Sequence, residues 1–211
     1  MKGKFIVFEG IEGCGKTTQK NLVNSYLTEK GYNIFEVREP GGTRISEHIR
    51  DILLNPAYTE MSSRAELFLY EAARAQLVSE VLQPNLLVNL NSSKGTIGIM
   101  DRCYHATIAY QGFGRGLDIS LIIKASRYAM DDLIPNLTII YDVPVEVGLE
   151  RKGKDLDRME QEDTSFHERV RKGYLELPKL LFDEEIFVID SNRKVEEVFE
   201  DTKECIDEIL I

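Results

Sequence analysis

Gly10-Ile11-Glu12-Gly13-Cys14-Gly15-Lys16-Thr17 reads G-x-x-x-x-G-K-[ST] and follows directly on the apolar run Phe5-Ile6-Val7-Phe8. Between a strand and a helix this pattern forms a phosphate-binding loop. The glycines let successive backbone N–H groups turn inward onto phosphate oxygens, and the start of the next helix adds positive potential. The stretch from Gly10 to Thr17 is therefore assigned to the phosphates of a nucleotide, with Lys16 reaching the β- and γ-phosphates and the Thr17 hydroxyl ligating Mg²⁺. Out of context the same pattern is only a glycine-rich turn, and it is the flanking segments that favour the phosphate loop. Cys14 lies in a loop that works through backbone donors, so no nucleophilic role is given to it.

Outward from this loop, short β-branched and aromatic runs recur at Lys4–Glu9, Asn33–Arg38, Thr96–Asp101, Leu137–Asp142 and Ile186–Asp190. Helical spacing of apolar residues separates them, at Lys16–Lys30, Arg44–Leu54, Arg64–Leu90 with Pro84 as a kink, Ile119–Met130, Val145–Lys152, Ser165–Leu177 and Lys194–Leu210. Such alternation predicts an α/β fold, a parallel β-sheet flanked by helices. The strand-end charges Glu9, Arg38, Asp101, Asp142 and Asp190 are expected to converge on one crevice at the carboxyl edge of that sheet. Asn91-Ser92-Ser93-Lys94-Gly95 reads as a polar loop.

With 211 residues, 43% of them hydrophobic, the chain suits one sizeable core, so a single domain over residues 1–211 is expected. A formal charge of -10 argues against nucleic acid as a partner, and a phosphate ligand must meet a local cluster of cations instead. Cys14, Cys103 and Cys205 form no C-x-x-C pair and are expected as free thiols in a reducing cytoplasm. The apolar run after Met1-Lys2-Gly3-Lys4 already ends at Glu9, so neither a signal peptide nor a membrane association is expected.

Asp101-Arg102 closes the third strand run, where a phosphate-loop protein places the carboxylate that holds Mg²⁺ or its waters. Arg102 beside it is suited to grip two phosphate oxygens, the alternative being a surface ion pair. No asparagine-lysine-x-aspartate sequence follows, which points to ATP rather than GTP. Arg38-Glu39-Pro40-Gly41-Gly42-Thr43 is either a generic turn or, with Arg38 at its head, a second phosphate grip.

The phosphate loop, the segment 38–43, Leu69-Tyr70-Glu71-Ala72-Ala73-Arg74, Asp101-Arg102, Ala109-Tyr110-Gln111-Gly112 and Asp157-Arg158-Met159-Glu160, in that order and spacing, resemble thymidylate kinase from Phe5 to about Asp190. The resemblance implies a nucleoside monophosphate kinase-like fold, usually a homodimer. The implied reaction transfers the γ-phosphoryl of MgATP to dTMP, giving dTDP and ADP. It also implies that Tyr70 stacks on thymine, Arg74 donates to a thymine carbonyl, Gln111 meets the base edge and Tyr110 crowds the sugar 2′ position. Glu12 would face the acceptor's sugar or phosphate. Read alone, Tyr70 and Arg74 are a core aromatic and a surface arginine.

Phosphoryl transfer rests on alignment and on cations around shifting charge. One branch of the family carries an arginine at the place held here by Gly13, and the bacterial branch supplies it from a mobile lid. Residues of about 150–160, with Arg151 and Arg158 as the candidate cations, are therefore expected to form the lid. Ala106 stands where the family often shows serine. Gly112-Phe113-Gly114-Arg115-Gly116 is expected to be a turn after the acceptor-site helix, and His48, His105 and His167 receive no catalytic role. The rivals are a kinase for another monophosphate, such as dUMP or GMP, and a nucleotide-binding module without activity. Against the second, the chain keeps Arg38, Arg74, Arg102, Arg151 and Arg158.

Overall fold

A computed structural model describes residues 3–87, 94–153 and 156–210. Lys154 and Asp155 of the expected lid, Asn91-Ser92-Ser93 of the expected loop and the end of the helical stretch expected to Leu90 lie outside the described residues.

Five parallel strands form one sheet in the order β2-β3-β1-β4-β5: β1 (Lys4–Glu9), β2 (Asn33–Arg38), β3 (Thr96–Asp101), β4 (Leu137–Asp142) and β5 (Ile186–Asp190). The central strands β1, β3 and β4 are buried along nearly their whole length, which is why each reads as an unbroken apolar run rather than an alternating one. The edge strands β2 and β5 are more exposed. From β1 the chain passes outward to β2, returns to β3, then crosses to β4 on the other side of β1. That reversal opens a crevice at the carboxyl end of β1, where the phosphate loop lies.

Helices α1 (Lys16–Glu29), α2 (Arg44–Leu54), α3 (Ser63–Leu77), α4 (Gln83–Leu87), α5 (Tyr104–Thr107), α6 (Ile119–Ala129), α7 (Val145–Lys152), α8 (Thr164–Leu180) and α9 (Val195–Leu210) join and cover the strands. The hydroxyls of Thr43 and Ser62 cap α2 and α3, and Asp118 and Asp163 cap α6 and α8, each accepting N–H groups the helix cannot satisfy itself. The helix expected to kink at Pro84 changes pitch earlier, through a π-helical turn at Val78–Leu82. Pro84 has no N–H and its ring crowds the carbonyl four residues back, so the ladder widens ahead of it.

α8 runs three residues past its expected end at Leu177, through Pro178, because Leu177 and Leu181 are both anchored in the core. Gly112-Phe113-Gly114 also departs from expectation, since it belongs to a second π-helical turn, Ile108–Gly114, and the chain turns only at Arg115-Gly116. A Cβ on Gly114 would come within 2.7 Å of the Phe166 ring, and one on Gly173 within 2.9 Å of Phe113. The glycines let this segment lie directly on α8, which holds the residues after Tyr104 in a fixed frame.

The strand-end charges share an edge but do not form the crevice walls. Glu9 is fully buried and accepts from the Cys103 N–H and the Tyr174 hydroxyl, Arg38 pairs with Glu47, Asp142 with Arg171, and Asp190 accepts from the Asn192 N–H. Strand ends are committed to fixing the loops, and residues of those loops and nearby helices make the walls.

Candidate active site

The phosphate loop wraps the start of α1, with Gly15 in the left-handed region at the helix N-cap. Gly13 has φ +68, and a Cβ there would stand 2.1 Å from the Gly148 carbonyl oxygen. No side chain fits, so an arginine at that place is incompatible with this loop. Gly148 in turn lies against the Glu12 carbonyl, where its own Cβ would be 2.5 Å away, so α7 packs backbone to backbone on the loop. Lys16 Nζ folds over the loop, 3.3 Å from the Gly10 carbonyl oxygen.

Two clefts flank this loop and share Gly13, Lys16 and Thr17. One, of about 480 Å³, is walled by the loop itself, Arg151, Ser191, Arg193 and the start of α9. The other, of about 260 Å³, is walled by side chains from many elements, among them Glu12, Arg50, Tyr70, Arg74, Arg102, Tyr110, Gln111 and Lys152. α7 sends its last two residues to different sides: Arg151 to the first cleft and Lys152 to the second, as neighbours about 100° apart on a helix must diverge.

The second cleft is lined by buried ion pairs. Arg102 adopts φ 66, a strained conformation for a side chain of its size. Its N–H continues the sheet onto the Phe8 carbonyl, while its guanidinium donates to the Gly10 carbonyl, the Tyr174 hydroxyl and Glu12 Oε1. Tyr110 also donates to Glu12 Oε1, at 2.6 Å. Burial alone would raise the Glu12 pKa, but the charges of Arg102 and Lys16 and the Tyr110 hydrogen bond outweigh it and hold the carboxyl below its usual range. Glu12 Oε2 is buried without a protein donor.

Arg74 is 1% exposed and held by Glu39, Glu71 and the Thr107 hydroxyl, with Nε 2.9 Å from Glu39 Oε2 and Nη2 2.8 Å from Thr107 Oγ1. Burial pushes the Glu39 carboxyl up to about 7 against the pull of Arg74.

A thymidylate kinase family model matches residues 8–202. The chain is 44% identical to a thymidylate kinase of Geobacillus sp. (strain WCH70) over 94% of this chain and 93% of that one. It is 46% identical to one of Carboxydothermus hydrogenoformans, covering 96% of each. A crystal structure of thymidylate kinase from Ehrlichia chaffeensis superposes with a TM-score of 0.76 at 32% identity, over 98% of this chain and 99% of that one. The chain belongs to the thymidylate kinase family. It is a phosphotransferase with the phosphate-loop kinase fold, and neither a different monophosphate kinase nor an inactive nucleotide-binding module is favoured.

Within this thymidylate kinase fold, Glu12, Tyr70, Arg74, Arg102, Tyr110 and Gln111 come together as lining of the smaller cleft. Arg38 does not join them. Its guanidinium pairs with Glu47 and donates to the Pro40 carbonyl, which fixes the turn at 40–42, and Arg50 from α2 faces the cleft instead. Arg158 is also outside the walls. It is 8% exposed and bonded to Glu66 and the Leu53 carbonyl. Of the two expected lid cations, only Arg151 faces a cleft.

Among the described residues no group of three or more His, Cys, Asp or Glu suits a metal. A hydroxyl and one carboxylate, with phosphate oxygens and water completing the shell, are nevertheless what Mg²⁺ takes in nucleotide sites, so the residues fit that ion. No described helix is long and apolar enough to cross a membrane.

Sequence reading missed Glu39, Arg50, Lys152, Asp157 and Arg193, all of which line the clefts. Glu39 stood in plain view inside the segment 38–43. Lys152 and Asp157 lay within the expected lid, and Asp157 in the motif 157–160, without a role of their own, whereas Arg50 and Arg193 carry no local signal and reach the clefts only through packing.

Proposed function

We propose that the chain transfers the γ-phosphoryl group of MgATP to dTMP, acting as a homodimer in the cytoplasm, with residues 1–211 as one domain and about 150–160 as its lid. The observation that carries this reading is the pair of clefts meeting at Gly13, Lys16 and Thr17. Two anionic ligands entering from opposite sides abut at one lysine and one ring of backbone donors, the geometry an in-line transfer needs.

The larger cleft takes the triphosphate: amides of Gly10 to Thr17 bind its oxygens and Lys16 lies against the β- and γ-phosphates. Mg²⁺, held by Thr17 and, through its waters, by Asp101, would draw charge from the phosphate oxygens. In the smaller cleft Tyr70 stacks on the base, Arg74 and Gln111 meet its edge, and Tyr110 crowds the sugar 2′ position. Glu12, whose Oε2 has no hydrogen-bond donor from the protein, accepts from a sugar hydroxyl. Arg102 and Arg50 bind the acceptor phosphate. Arg151 supplies positive charge from the donor side, and lid closure excludes water. Burial of Arg158 makes it the anchor of the lid rather than its reaching cation.

The test is the initial rate of ADP formation across a panel of nucleoside monophosphates, with and without Mg²⁺. The reading requires dTMP to be the preferred acceptor and the rate to vanish without the ion. A flat response across acceptors sinks it.

A further inference from the structure

Glu66 of α3 is fully buried, lies beside the acceptor cleft without lining it, and has no part in the mechanism above. It accepts three hydrogen bonds and pairs with a second guanidinium. Oε1 accepts from Gln111 Nε2 at 2.8 Å and Arg115 Nε at 3.1 Å, Oε2 accepts from Arg115 Nη2 at 3.1 Å, and Arg158 Nη1 lies 2.7 Å from Oε2 as an ion pair. Burial alone would raise its pKa, but hydrogen bonds from Arg115 and Gln111 and the charges of Arg115 and Arg158 outweigh it and keep the carboxyl below its usual range. Glu66 is thus a carboxylate that accepts and never donates.

That fixes the neighbouring amide. Gln111 is 1% exposed and lines the cleft. A primary amide can be flipped to exchange its NH₂ and C=O, but here the flip would set Gln111 Oε1 against Glu66 Oε1 at the 2.8 Å that the N–H···O bond now spans. Two buried acceptors facing each other forfeit the hydrogen bond and leave the carboxylate short of a donor. Gln111 therefore gives one N–H to Glu66, leaving its other N–H and its carbonyl oxygen for a ligand in a fixed order. A thymine or uracil edge, with a carbonyl acceptor at C4 and an N3–H donor, matches a donor–acceptor pair in one order. A cytosine edge, with an amino donor at C4 and a bare N3, needs the opposite order.

We infer that Glu66 is a specificity-setting positioning residue: it locks the Gln111 amide so that the acceptor cleft reads an imide pyrimidine edge and rejects an aminopyrimidine one. This rests on the reading of the smaller cleft as the monophosphate site. Glu66 does not touch the acceptor; it acts through Gln111. The two guanidinium groups at its back serve this function by keeping it ionised.

Glu66→Gln tests the inference, because an amide at 66 both donates and accepts and so permits either orientation of Gln111. The acceptors are dTMP and 5-methyl-dCMP, which share the 5-methyl group and differ in the base edge. For each, kcat/KM is measured on the unmodified chain and on the folded variant. The expected result is a fall of at least about tenfold in the dTMP to 5-methyl-dCMP ratio, part of it a gain for 5-methyl-dCMP. A merely structural role would slow both acceptors alike and leave the ratio unchanged, which overturns the inference. If Glu66→Gln does not fold, Gln111→Met carries the test. A collapsed ratio supports the amide as the reader, and a retained ratio overturns it. Should the unmodified chain fail to phosphorylate dTMP at all, the proposed function fails rather than the role of Glu66.

Discussion

On the donor side of the phosphate loop the wall is largely backbone. Gly13, Cys14 and Gly15 of the loop line a surface completed by the exposed side chains of Arg151 and Arg193. In the smaller cleft, read here as the acceptor side, the wall is backed by buried charges that hold one another: Arg74 between Glu39 and Glu71, Arg102 against Glu12, and Glu66 beneath Gln111. A triphosphate is bound by many weak dipoles and tolerates movement in any one of them, whereas a base must be read by groups held in fixed orientation. The donor cleft can therefore remain soft, while the acceptor cleft is part of the core. Substitutions on the two sides should fail in different ways: through rate on one, through folding on the other.

The largest effect is expected at Arg74. Arg74→Met leaves two buried carboxylates without their cation, and loss of one partner from such a site costs about 3–5 kcal/mol. Urea unfolding measures it, and a loss below about 1 kcal/mol would break the contrast between the clefts. Lys16→Ala is its opposite. The lysine donates only to loop carbonyls and, weakly, to Cys14. Its removal should lower kcat by about 10²–10³ with an unchanged urea midpoint, the size seen when a single donor to developing charge is lost.

Two arginines near the lid sharpen the comparison further. Arg158→Ala removes a buried pair with Glu66 and a bond to the Leu53 carbonyl, and should cost about 1–3 kcal/mol of stability. Arg151→Ala removes an exposed side chain whose bond, to Asn192, is 3.3 Å long. It should leave stability within about 0.5 kcal/mol and lower kcat about tenfold. If the two variants exchange these behaviours, Arg158 rather than Arg151 is the reaching cation.

The same contrast explains which parts of the molecule are legible in its sequence. All five strands lie where the apolar runs place them, because a parallel strand covered on both faces must be continuously apolar. The phosphate loop is equally plain, since its chemistry sits on consecutive residues. Acceptor-side pairing is not. Its partners are far apart in the chain, Arg102 and Glu12 being 90 positions apart, Gln111 and Glu66 45, and Tyr174 and Glu9 165. Arg38 shows the cost: its place after a strand suggests a phosphate grip, but Glu47, one turn into α2, captures it. The π-helical turn carrying Tyr110 and Gln111 escapes pattern reading because its glycines look like a loop until Phe113 and Phe166 fill the space they leave.

The smallest predicted effect concerns pH. Glu39 faces the acceptor cleft with its carboxyl pushed up to about 7, burial being the chief cause and the nearby Glu71 charge adding to it. A carboxyl with a raised folded pKa binds its proton more tightly in the native state. Its contribution to stability is complete below the unfolded value near 4.5 and is lost as pH rises to about 7. Glu39→Gln removes that dependence, so the Tm of the variant minus that of the unmodified chain should climb across this window. Each kcal/mol of that loss appears as a climb of about 2–4 °C in a chain of this size. In the larger cleft, Arg193→Ala removes an exposed pair with Asp201 and a bond to the Asp190 carbonyl, neither of which involves Glu39, and its Tm difference should stay flat over the same interval. A climb for both variants would mean that the pH response belongs to the fold as a whole. A flat line for both would mean that Glu39 stays ionised beside Arg74 throughout, leaving the acceptor cleft held by a permanent ion pair rather than one that neutral pH has only just completed.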